Sequence, residues 1–159
     1  MGLTRLDQLY RAVILDHSKD PRHKGQLDRV DAVMALRNPT CGDEIQVQVK
    51  LDDQGQVIQD VSFDGQGCTI SMASASMMTE AIVGKSLDQV KDLYQTFSDL
   101  VQGKEPEQTE DLGDAVMLEG VRQFPSRVRC ATLSWKALNK ALENTGSGLD
   151  ENTSEDIYD

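Results

Sequence analysis

An α+β domain is what this sequence predicts, on three observations. Strand-like segments cluster between residues 32 and 63, helical periodicity precedes and follows them, and 159 residues can build one core without disulfide staples. Thr4 can cap a first helix in which Leu6, Leu9, Tyr10, Val13 and Ile14 share one apolar face, and Pro21 and Gly25 end it. A strand over 32–36 leads into the polar turn Arg37-Asn38-Pro39-Thr40, which delivers Cys41 on a loop. Apolar residues then alternate through Ile45, Val47, Val49 and Leu51. Asp52-Asp53-Gln54-Gly55 turns the chain into a partner strand over 57–63, giving a hairpin with one buried face.

Gly65-Gln66-Gly67 breaks that strand, and Ile70, Ala73, Met77 and Ala81 restore a helical period with Cys68 at its start. Gly84 suits the helix end. Ser86 with Gln89 forms a capping-box pattern for a further helix carrying Leu87, Val90, Phe97 and Val101. Residues 103–114 are acidic and short of large apolar side chains, and read as an exposed insertion before a brief helix over 115–121 that Pro125 stops. A last helix over 128–143 buries Leu133, Ala137, Leu138, Ala141 and Leu142, with Cys130 in its first turn. The expected organisation is one domain over 1–144. Residues 145–159 follow as a disordered tail whose charges are Asp150, Glu151, Glu155, Asp156 and Asp159, with no base.

The net charge of −11 argues against nucleic acid, whose phosphates call for clustered Lys and Arg, and points to partners with basic surfaces. No stretch approaches the roughly 18 apolar residues of a membrane span, and no export or lipidation signal opens the chain. The expectation is a cytoplasmic protein. In such a reducing compartment the three cysteines point to metal binding or thiol chemistry.

Each cysteine has punctuated surroundings. Cys41 and Asp43 flank Gly42, so a thiol and a carboxylate can reach one cation. Cys68 follows Gly-Gln-Gly at a helix N-terminus, where free N–H groups and the helix dipole favour a thiolate. Cys130 follows a proline break, with Arg127 and Arg129 available to offset negative charge beside it. Three thiolates and a carboxylate suit tetrahedral Zn²⁺, making Cys41, Asp43, Cys68 and Cys130 the candidate ligands. His17 and His23 lie in a polar stretch and read as surface or capping residues. Met72, Met77 and Met78 read as core, and Trp135 as packing at a partly exposed edge.

The motifs LDHSKDPRHKG at 15–25, NPTCGDE at 38–44 and GQGCTISMASASMMTEAIVGKSLDQ at 65–89 resemble the NifU/IscU-like iron–sulfur cluster assembly family, with the SufU branch of Gram-positive bacteria as the nearest likeness. The resemblance runs from Leu9 to about Leu142. It implies a small three-stranded antiparallel sheet packed against several helices, with the metal site at one exposed end. The family's cysteines and metal-associated aspartate match Cys41, Cys68, Cys130 and Asp43. The implied partners are a pyridoxal-phosphate cysteine desulfurase of SufS type and downstream SUF cluster-assembly scaffold proteins.

Two activities follow as expectations. The first is zinc-dependent persulfide acceptance and sulfur transfer with Cys41 as the attacking thiol. The second is a scaffold on which iron or a transient [2Fe–2S] cluster binds the same cysteines. Arg129 stands where scaffold members commonly carry a histidine, which favours transfer. Phe124-Pro125-Ser126-Arg127-Val128 replaces the Leu-Pro-Pro-Val-Lys segment that recruits a dedicated chaperone, so that partnership is not expected.

Overall fold

The computed structural model describes residues 5–38, 42–104, 106, 108–143 and 154–156. Helix α1 (Arg5–Lys19) precedes strands β1 (Ala32–Asn38), β2 (Asp43–Leu51) and β3 (Ile58–Gln66). Helices α2 (Thr69–Ile82) and α3 (Leu87–Val101), a 3-10 segment (Glu110–Gln123), helix α4 (Pro125–Glu143) and a short strand β4 (Ser154–Asp156) follow. The sheet order is β3-β2-β1-β4, with β1/β2 and β2/β3 antiparallel and β4 parallel to β1. Three antiparallel strands covered by helices are therefore the α+β architecture expected. Among the described residues no helix is long and apolar enough to cross a membrane.

Strand β2 alternates as the sequence does: Ile45, Val47, Val49 and Leu51 are buried while the residues between them are more exposed. That inner face packs on α4, which also packs on α2. The hairpin turn closes where Gly55 N–H donates to the Asp52 carbonyl at 2.9 Å and the Asp52 carboxylate accepts the Gln56 N–H at 2.9 Å. Both bonds of the Ser86/Gln89 capping box are present at the start of α3.

Six expectations need correction. Residues 110–114 are no loose insertion, because Leu112 and Ala115 are fully buried and the 3-10 segment runs through them, kinked at Gly113 with φ 58°. Pro125 opens α4 rather than merely stopping its predecessor, since proline suits a first helical position whose N–H would be unpaired anyway. Cys130 consequently lies in the second turn of α4 and is buried. His17 belongs to α1 and is fully buried, and Trp135 has no exposed edge. Of the tail, Ser154–Asp156 pairs with β1 through Ala35, Leu36 and Arg37, because an edge strand offers unpaired backbone groups to any segment within reach.

Gly65 shows why the end of β3 tolerates no side chain. Its φ is 132°, and a Cβ there would stand 2.0 Å from the Glu44 carbonyl oxygen on β2. Gly65→Ala should therefore cost about 2–4 kcal/mol through backbone strain and the displaced strand pair, read as a lower urea midpoint.

Candidate metal centre

The end of the sheet, the start of α2 and the second turn of α4 meet. The register pairs Asn38, last in β1, with Asp43, first in β2, and Glu44 with Gln66 at the end of β3. Asp43 thus stands beside Gly67 and Cys68, 25 positions later in the chain. Its Oδ1 accepts the Cys68 backbone N–H at 2.9 Å, and its Oδ2 accepts the Ser71 hydroxyl at 2.5 Å. The carboxylate is 1% exposed, and the bonds point it at the sulfur of Cys68, 3.9 Å from Oδ2. Gly67 makes room for this approach, since a Cβ there would sit 2.8 Å from Asp43 Oδ1.

Cys68 is the N-cap of α2, in extended conformation (φ −75°, ψ 173°), and its side chain caps nothing. The thiol is left to face the site, 3.5 Å from the Ser71 hydroxyl. Cys130 is buried, with its sulfur 3.8 Å from the Ser126 carbonyl oxygen. One oxygen of Asp43 and the sulfurs of Cys68 and Cys130 lie within 4.8 Å of one another. Neither cysteine is in a disulfide.

The electrostatics follow from that crowding. The Cys130 thiol donates to the Cys68 sulfur and is the main cause of a Cys68 pKa lowered to about 5, against the upward push of burial. The Ser71 hydroxyl and backbone N–H lower it further, and the charge of Asp43 raises it. The Arg127 guanidinium is held more firmly charged, first by the Cys68 thiolate and then by Cys130. Arg129, with Arg122 and Lys136, lines a cleft of about 530 Å³ beside α3 and α4.

Cys41 falls outside the described residues. Its flanks are described: Gly42, at φ 75°, donates its N–H to the Asn38 carbonyl at 2.9 Å. Two thiols and a carboxylate within one ion's reach are donor types that tetrahedral zinc accepts, and they leave a fourth position for another ligand. Ser71 was not singled out from sequence, although a serine three residues beyond a helix N-cap is placed to contact the capping side chain.

Known proteins resemble this chain in sequence and in fold. The family described as "NifU-like N terminal domain" matches residues 9–144. A Bacillus subtilis protein named "Zinc-dependent sulfurtransferase SufU" is 52% identical over 143 residues, covering 90% of this chain and 95% of its own. A Streptococcus pyogenes protein named "Iron-sulfur cluster assembly scaffold protein IscU" is 48% identical over 158 residues, covering 98% of each. A solved structure from Fervidobacterium islandicum, titled a putative iron-sulfur cluster assembly scaffold protein for the SUF system, superposes with a TM-score of 0.76 at 35% identity, covering 82% of this chain and 93% of that one. A cysteine and carboxylate cluster where a sheet end meets two helices, a family match over most of the chain and relatives this similar lead to one assignment: the chain belongs to the NifU-like N-terminal domain family.

Proposed function

We propose that this chain is a zinc-dependent sulfurtransferase of iron–sulfur cluster biogenesis, accepting persulfide sulfur from a cysteine desulfurase. The observation that carries the reading is the convergence of Asp43, Cys68 and Cys130, with the Cys68 thiol ionised at neutral pH. With Cys41 supplied from the adjoining loop, these four residues would hold the zinc ion. When bound, the ion keeps the thiols deprotonated and gathered.

The attacking group in this reading is the Cys41 thiolate. Cys68 and Cys130 are tied to α2 and α4, whereas Cys41 belongs to the connection between β1 and β2, beside a glycine in the left-handed region. The thiolate attacks the outer sulfur of the desulfurase persulfide. A new S–S bond forms at Cys41, the donor's S–S bond breaks, and the desulfurase cysteine leaves as a thiolate; the exchange needs no external oxidant or reductant. Asp43, locked by the Cys68 N–H and Ser71, stays in place. Arg127 offsets the negative charge around the thiolates.

The partner is a pyridoxal-phosphate desulfurase of SufS type with a basic docking face, suited to a chain of net charge −11. The recipients are SUF scaffold proteins in the bacterial cytoplasm. Cys41→Ala, incubated anaerobically with the desulfurase and ³⁵S-cysteine, should retain no protein-bound label. Labelling or desulfurase stimulation at the wild-type level would refute the assignment.

The name of the Streptococcus relative, matched over nearly all of both chains, supports a second reading as a [2Fe–2S] scaffold on the same cysteines. A cluster that assembles here and moves intact to an apo-protein would select it.

A further inference from the structure

A second group of ligating side chains lies away from the thiols. His17, near the end of α1, is fully buried. Its Nδ1 is 2.7 Å from the Ser76 hydroxyl of α2, and its Nε2 is 2.9 Å from Asp114 Oδ2 in the 3-10 segment. Glu80 Oε1, one turn beyond Ser76 on α2, stands 3.8 Å from the same Nε2. The three ligand atoms lie within 4.8 Å of one another.

We propose that His17, Glu80 and Asp114 form a second divalent-metal site, binding one first-row ion such as Mn²⁺ or Fe²⁺ through an imidazole nitrogen and two carboxylates. The spacing fits. Ligands about 2.1 Å from an ion and at 90–110° to each other stand roughly 3.0–3.4 Å apart, and the observed 2.9 and 3.8 Å bracket that range. One imidazole with two carboxylates suits manganese and ferrous iron, whereas magnesium and calcium favour oxygen-only sites.

The surroundings supply the rest of a site. Ser76 already accepts the Arg22 N–H at 2.8 Å, and it can also accept Nδ1–H, which bares the Nε2 lone pair for a metal. The side chains of Glu80 and Asp114 are 46% and 48% exposed, so an ion can enter and keep water ligands. Both border a cavity of about 460 Å³, where Glu110 and Asp111 add negative charge and Lys85 is the cation. The nearby guanidinium of Arg22 is paired with Asp16 at 2.7 Å. Glu80 lies twelve positions beyond Cys68 along α2, about 18 Å at 1.5 Å per residue, so this site and the thiol cluster are separate. An ion here would pin the 3-10 segment to α1 and α2.

The test is Mn²⁺ titration of the full-length, zinc-loaded protein, with free Mn²⁺ read by electron paramagnetic resonance. One Mn²⁺ should bind per chain. Glu80→Gln and Asp114→Asn, which alter half-exposed groups and spare the buried histidine, should each weaken binding about tenfold or more. The thermal midpoint should rise with Mn²⁺ in the wild type and not in either variant. Absence of saturable binding up to millimolar Mn²⁺, or wild-type affinity in both variants, would overturn the proposal. So would binding lost only on replacing Glu110 and Asp111, which would put the ion at the cavity rim.

Discussion

In metal-free protein, replacing Cys130 with alanine should make Cys68 a far weaker nucleophile below neutral pH. The Cys130 thiol is the main reason that Cys68 ionises near pH 5, so its removal moves the Cys68 midpoint up towards the ordinary thiol range. The sign is fixed by which form the contact favours: a donated hydrogen bond stabilises the thiolate, and losing it favours the thiol. At pH 6 the wild-type thiol is about nine-tenths ionised, and a thiol of pKa near 8.5 is well under one-hundredth ionised. Higher intrinsic nucleophilicity returns part of that difference. The expected outcome is an iodoacetamide rate at pH 6 lower by about 5- to 10-fold, measured at Cys68 by mass spectrometry. Unchanged rates would mean that the α2 N-terminus and Ser71 suffice to ionise Cys68, leaving the Cys130 contact without effect on it.

Trp135→Ala should produce a large loss of stability. Trp135 is fully buried on α4 and stacks on Phe97 of α3, with ring centroids 4.6 Å apart and planes 12° from parallel. Its truncation forfeits the transfer energy of the indole and leaves a cavity between two helices, about 3–5 kcal/mol together. Against a total of about 5–15 kcal/mol, that should lower the thermal midpoint by about 10 °C. Among the described residues the indole Nε1 has no hydrogen-bond partner, so Trp135→Phe should cost less than half as much. Urea titrations with unchanged slope would attribute the loss to the native core. Equal losses in the two variants would show that the outer indole ring, rather than the stack on Phe97, carries the energy.

Local chemistry made much of this protein legible. The alternation from Ile45 to Leu51, the Asp52–Gly55 turn, the Ser86/Gln89 capping box and the glycine-flanked start of α2 each act between residues a few positions apart, so the sequence displays both partners of every interaction. The same nearness exposed Cys68 as the residue at the start of α2, and the quoted motifs carried the family.

Packing decided what the chain order conceals. Nothing near Asp43 announces that its carboxylate will be locked by Cys68 and Ser71, because that pairing depends on the β2/β3 register. His17 looked polar and exposed beside Lys19 and Asp20, yet α2 and the 3-10 segment cover it through partners 59 and 97 positions away. Leu112 makes the acidic stretch around it part of the core, and Trp135 is sealed by Phe97. Sequence alone determined most of the helices and strands and marked the cysteines and Asp43 as possible ligands, while it missed the extent of the 3-10 segment, strand β4 and the burial of His17. Which of those side chains share a site was settled by the tertiary structure, since burial and long-range contact depend on how whole elements dock, a property no short window of residues contains.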